Sequence, residues 1–187
     1  MLRREEKKYL LKLARETLER HFEGKGDLIP KSMPFKNLEK KAGTFVTLEE
    51  EGELRGCIGH IIPVNPIYKD VAENALNAAF QDPRFVPVVK EELGKISIEV
   101  SVLTVPKTLE HKSAEDLLSK LRPGVDGVII EFEGRSATFL PQVWEQLKDK
   151  KEFLRHLCMK AWLPQDSWKA GDCKIEVYQV ECFSESI

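Results

Sequence analysis

Two stretches of this chain, "TFVTLEEEGELRGCIGHI" (44–61) and "DGVIIEFEGRSATFL" (126–140), each set a glutamate–glycine pair between runs of alternating apolar and polar residues. Glycine supplies the left-handed backbone that a tight turn requires, and period-two alternation is the pattern of a strand with one buried face. Strands that arrive as hairpins pair antiparallel, so the sequence points to an α+β fold with a largely antiparallel central sheet flanked by helices, not to a doubly wound one. For the first hairpin we expect a three-residue loop, Glu50-Glu51-Gly52, because it pairs Leu48 with Leu54 and Thr47 with Arg55 and sets Phe45 facing Cys57. In that register Leu54, Gly56 and Ile58 share one face, and Arg55 and Cys57 the other. In the second hairpin a turn at Glu133-Gly134 places Val128, Ile130 and Phe132 beside Ala137 and Phe139.

Helical spacing fills the gaps between strands. Leu10, Ala14, Leu18 and Phe22 recur every four residues, which gives an amphipathic helix ending near Gly24. Its basic and acidic residues alternate, the pattern of a solvated face. "NPIYKDVAENALNAAFQDP" (65–83) is expected to be a helix capped by Asn65, opened by Pro66 and stopped at Asp82-Pro83. Ser113 and Asp149 are placed to cap helices over 113–121 and 149–164, and Pro141 opens another. "KISIEVSVLTV" (95–105) reads as a strand, and "CKIEVYQVECF" (173–183) as a single closing strand. The stretch 23–36, with two glycines and two prolines, reads as an extended connection that could mark a boundary between lobes.

A chain of 187 residues that is 42% hydrophobic and 32% charged can bury a core unaided. No run approaches the ~20 apolar residues of a membrane span, and the amino-terminal stretch lacks a signal peptide's apolar block, so we expect a cytoplasmic protein with no membrane association. With 29 basic against 31 acidic residues the net charge of −2 gives no footprint for nonspecific nucleic-acid binding, which leaves open only a local basic patch. The four cysteines form no CxxC pair, and free thiols are expected.

One of them, Cys57, stands out. Arg55 lies two residues away on the same expected strand face, and a cationic neighbour favours the reactive thiolate. Cys57 reads as a nucleophile activated by Arg55, or as a small core residue opposite Phe45. His60 alternates to the opposite face, and the CxxH spacing has no second pair to complete a zinc site, so no metal or other cofactor is assigned. Glu99, on the polar face of the 95–105 strand, is a candidate general base if that face floors a cleft. "QDPRF" (81–85) offers Asp82 and Arg84, the latter suited to tie the loop to a helix carboxyl end or an acidic side chain, or else to clamp an anion. Asn74 could bind a ligand together with Asn77 one turn away. Gln142 and Trp144, after a strand end, could orient a flat substrate, although tryptophan there also suits a core.

The motifs "ELRGCIG" (53–59), "NALNAAFQDPRFVPV" (74–88), "IEVSVLT" (98–104), "GVDGVII" (124–130), "FLPQVW" (139–144) and "FLRHLCMKAWL" (153–163) together resemble the AMMECR domain, in order, over residues 3–183. The resemblance implies one α+β domain with a larger and a smaller lobe, and makes Cys57 the signature cysteine. In prokaryotes it implies a system shared with a Memo-type protein and a radical SAM enzyme, acting in modification of a nucleobase or a protein side chain. A non-catalytic module that docks a peptide or partner enzyme beside the "LRGCIG" strand is the other reading.

Overall fold

Apolar residues at every second position bury one face of each strand, and small residues on one helix let it settle close to that face. The computed structural model describes residues 2–26, 30 and 33–185. Among those residues it contains four α-helices, α1 (Arg4–Phe22), α2 (Ile67–Phe80), α3 (Ala114–Lys120) and α4 (Lys150–Lys160). Among the described residues the strands are β1 (Thr44–Glu50), β2 (Glu53–His60), β3 (Ile96–Leu103), β4 (Lys107–Thr108), β5 (Gly127–Phe132), β6 (Arg135–Phe139), β7 (Lys174–Tyr178) and β8 (Val180–Ser184). The fold is α+β, with antiparallel strands divided over two four-stranded sheets ordered β2-β1-β3-β8 and β4-β7-β5-β6. The chain separates into two compact units, one running to Leu103 and resuming at Glu181, the other spanning Thr104–Val180. Of the connection expected over 23–36, residues 27–29 and 31–32 lie outside the described residues.

In the first unit Leu10, Ala14 and Leu18 of α1 and Val71, Ala75 and Ala78 of α2 pack on Val46, Leu48, Ile98 and Val100 of the sheet. The alanines of α2 permit a very close approach: a Cβ on Gly56 would run into the backbone carbonyl of Ala78. In the second unit Val128, Ile130 and Ile175 pack against Phe153, Leu154 and Leu157 of α4.

The first hairpin departs from its expected register. Glu51 and Gly52 alone form the turn, both with positive φ (53° and 84°), so Glu50 pairs with Glu53 and Glu49 with Leu54. Leu48 then pairs with Gly56, Thr47 with Cys57 and Phe45 with Gly59, and Arg55 is the extra residue of a bulge. The bulge moves Leu54 to the face that carries Cys57, contrary to strict alternation. The second hairpin turns at Glu133-Gly134 and pairs Val128 with Phe139 and Ile130 with Ala137, as its pattern requires.

Two further differences have local causes. Pro66, not Asn65, is the cap residue of α2, because the first helical amide, Ile67 N–H, is already bonded to Lys40 O at 2.9 Å; Asn65 instead donates to Glu73. The closing run breaks at Gln179, so β7 serves the second sheet and β8 the first. Ser113 and Asp149 do cap α3 and α4.

Candidate functional site

Cys57 lies on β2, the edge strand of the first sheet, and its N–H and C=O both point away from β1. The N–H donates to Asp82 Oδ2 at 2.8 Å, and the C=O accepts from Arg84 Nη2 at 3.4 Å. Cys57 and Thr47 therefore form a non-hydrogen-bonded cross-strand pair, the kind in which side chains approach most closely. Thr47 Oγ1 donates to Cys57 Sγ at 3.3 Å. Thr47 pairs on its other side with Glu99, so thiol, hydroxyl and carboxylate form one row across three strands. Two strand spacings set Cys57 and Glu99 about 10 Å apart along that row. The thiol is partly exposed.

Asp82, 5% exposed, holds this edge. Besides Cys57 N–H it accepts from Arg84 Nε at 2.9 Å, Arg84 Nη2 at 2.6 Å and Arg84 N–H at 3.1 Å. The Arg84 hydrogen bonds, and then those from the Cys57 and Arg84 amides, hold its carboxyl far below the usual carboxylate range. Arg84 is raised in turn, chiefly by its bond to Asp82, with a smaller push from the neighbouring Cys57 sulfur. Glu99 is shifted the other way: burial, and then the charge of Glu49, raise its carboxyl above the ordinary range.

Thr47, Asp82 and Arg84 thus hydrogen-bond to Cys57. Arg55 is engaged elsewhere, donating to Glu92 at 2.7 and 3.1 Å and to Val86 O at 2.9 Å, so its charge is matched by a carboxylate and its expected role as activator is not supported by its contacts. Asn74 is buried and ties α2 to β1, with Nδ2 3.0 Å from Thr44 Oγ1, which removes it from ligand binding. Gln142 and Trp144 belong to the second unit, in a 3-10 helix at Pro141–Glu145. Trp144 is a core residue and not a stacking platform: it is 3% exposed, stacks on Phe153 with centroids 3.6 Å apart and donates from Nε1 to Asp126 O at 2.7 Å. The sequence does not bring Thr47 to Cys57, because the expected register sets it opposite Arg55. Glu92 carries no sequence signal. Among the other cysteines Cys158 and Cys173 are buried, and burial pushes the Cys173 thiol up to about 12. No cluster of three or more metal-ligating side chains occurs among the described residues.

The geometry defines an α+β protein whose edge strand presents a partly exposed cysteine, held by an aspartate–arginine clamp. Its family follows from comparison: a sequence model of the AMMECR1 family matches residues 11–183, and the chain belongs to that family. It is 43% identical over 186 residues to a protein of Methanothermobacter thermautotrophicus, covering 98% of this chain and 96% of that one. A protein of Methanopyrus kandleri is 42% identical over 185 residues, covering 97% and 89%. The crystal structure of an uncharacterized protein from Pyrococcus horikoshii superposes with a TM-score of 0.82 at 36% identity, covering 96% of this chain and 91% of that one. No helix among the described residues is long and apolar enough to cross a membrane.

Proposed function

We propose that this protein is a cysteine-dependent enzyme or carrier of the cytosol, acting in the modification of a nucleobase or protein side chain alongside Memo-type and radical SAM partners. The observation that carries the reading is the Thr47 hydroxyl donated to a partly exposed Cys57 sulfur on the same sheet face as Glu99. The thiolate is the nucleophilic form of cysteine, and a partly exposed sulfur can reach a substrate. Arg84, whose guanidinium is paired with Asp82, lies beside Cys57 and donates to its carbonyl oxygen. Attack of the thiolate on an electrophilic substrate carbon forms a C–S bond. Glu99, whose carboxyl burial holds above the ordinary range, is the proton source on that face for the substrate atom that gains the displaced electron pair.

Peptide mapping of the protein isolated from its native cells tests this. A nucleobase- or peptide-derived adduct on Cys57 is expected, together with loss of a modified nucleoside or peptide in a Cys57→Ala strain. An unadducted Cys57 and unchanged profiles would overturn the reading. The docking-module alternative draws on one observation, the exposed apolar Leu54, Val86 and Val89 around the Arg55–Glu92 pair. In that case the same mapping experiment finds Cys57 unmodified and dispensable.

A further inference from the structure

Where α1, the start of β3 and β8 meet, an open cleft of about 790 Å³ is lined by Arg4, Lys7, Lys8, Lys12, Arg15 and Lys95. The charge alternation that makes α1 look evenly solvated resolves differently in three dimensions. At 3.6 residues per turn, Arg4, Lys8, Leu11 and Arg15 fall within about 60° of one another, while Glu5 and Glu16 lie about a quarter turn away. Glu6 is buried.

Two of the six cations belong to the scaffold. Lys7 pairs with Glu181 at 2.6 Å, and Arg15 binds Glu185, a lining carboxylate, and the carbonyls of Leu93 and Ile96. Lys12–Glu16 at 3.5 Å and Lys95–Glu50 at 3.8 Å are long pairs with exposed ammonium groups, of the kind that contributes little and exchanges readily. Arg4 and Lys8 have no hydrogen-bonding or charged partner among the described residues. Phe183 forms part of the same wall, with Lys7 Nζ 5.7 Å from its ring centroid.

We propose that this cleft binds a segment of single-stranded nucleic acid through its phosphates, independently of the chemistry assigned to Cys57. Arg4, Lys8 and Lys12 follow one another at i, i+4, a rise of ~6 Å per step, which is the scale of consecutive phosphates on an extended strand. A ladder of cations of that pitch engages a strand rung by rung, whereas a free nucleotide meets one rung. The Phe183 ring gives a base a surface to stack on, a contact that every base can make. The chain as a whole carries −2, so this basic side stands out locally and orients the polyanion.

The test is fluorescence anisotropy with a labelled single-stranded oligonucleotide of about ten nucleotides, a length that spans one such site. Binding is expected to fall with salt, with a log–log slope of about −2 for three phosphate contacts. Lys8→Ala and Arg4→Ala, at exposed positions, should each reduce that slope by about 0.7 while leaving the circular-dichroism spectrum unchanged. Phe183→Leu keeps the apolar contact but removes the ring, and should weaken binding about fivefold or more. Absence of binding at low salt, or a slope indifferent to both cation substitutions, would overturn the proposal. So would equal competition by a nucleoside monophosphate, or preference for anionic phosphatidylserine vesicles over the oligonucleotide.

Discussion

The backbone N–H of Cys57 donates to Asp82 Oδ2 at 2.8 Å, so a carboxylate from the turn after α2 closes the open edge of β2. Exposed strand edges are templates for unwanted pairing, and here Asp82 and Arg84 occupy the donor and acceptor that another strand would use.

Asp82→Asn removes the charge while keeping the size, and is expected to cost about 2 kcal/mol through loss of charge-assisted hydrogen bonds. The folded-state carboxyl is held below its unfolded value of ~3.9, so its contribution is complete above that pH and declines as pH falls below it. Urea unfolding should show a constant gap between wild type and variant from about pH 5 to 8, shrinking on further acidification. A gap that widens in acid would contradict the assignment.

Gly56→Ala should destabilise by about 2 kcal/mol or more, because the added methyl meets the rigid Ala78 carbonyl and must push α2 off the sheet. Gly171→Ala, with no atom within 4 Å of its Cβ position, is the control and should be nearly neutral. Thermal unfolding of both variants measures the contrast.

The same glycine explains why the first hairpin was legible as a hairpin but not in register. Matching apolar residues favoured Leu48 opposite Leu54, yet the residue opposite Leu48 is Gly56, whose missing side chain is replaced by the backbone of α2. A bulge at Arg55 absorbs the offset, and nothing in the sequence marks it. The second hairpin has no such intrusion, and its alternation gave the correct pairs. The run 173–183 shows no break in sequence, because Gln179, where it divides between sheets, is neither glycine nor proline. Cys57, Asp82, Arg84 and Glu99 were legible as polar groups within apolar patterns. Their grouping with Thr47 required the true register, whereas the core position of Trp144 is one of the two readings its motif allows.

Glu99→Gln probes the shared face. Burial raises the Glu99 carboxyl, so the stability linked to its proton is present below the unfolded value of ~4.3 and lost as pH rises through the folded value. The variant should match wild type in acid and become the more stable protein toward neutral pH. The thiol of Cys182 is raised mainly by burial, with a further push from Glu99, so Glu99→Gln should also speed its alkylation. Slower Cys182 labelling would contradict this arrangement.

Trp162 ends α4 in the left-handed region (φ 59°) with 84% of its surface exposed. Trp162→Gly should therefore raise stability by about 0.5–1 kcal/mol, since glycine adopts that conformation without strain. Denaturant unfolding would show it, and a loss of stability would mean that the indole packs against something.

Alkylation of the folded protein by iodoacetamide near neutral pH, read by mass spectrometry, tests the central claim about Cys57 directly. All four cysteines report in one sample. Cys57 is expected to label faster than Cys158, Cys173 and Cys182, whose thiols burial raises. Thr47→Val and Arg84→Ala should each slow Cys57 labelling, because the first removes the hydrogen bond that holds the sulfur and the second the guanidinium beside it. Arg55→Ala should leave the rate unchanged, since that guanidinium serves Glu92. Labelling of Cys57 only on unfolding, or a rate indifferent to both Thr47→Val and Arg84→Ala, would contradict the claim and leave this cysteine a packing residue of the edge strand.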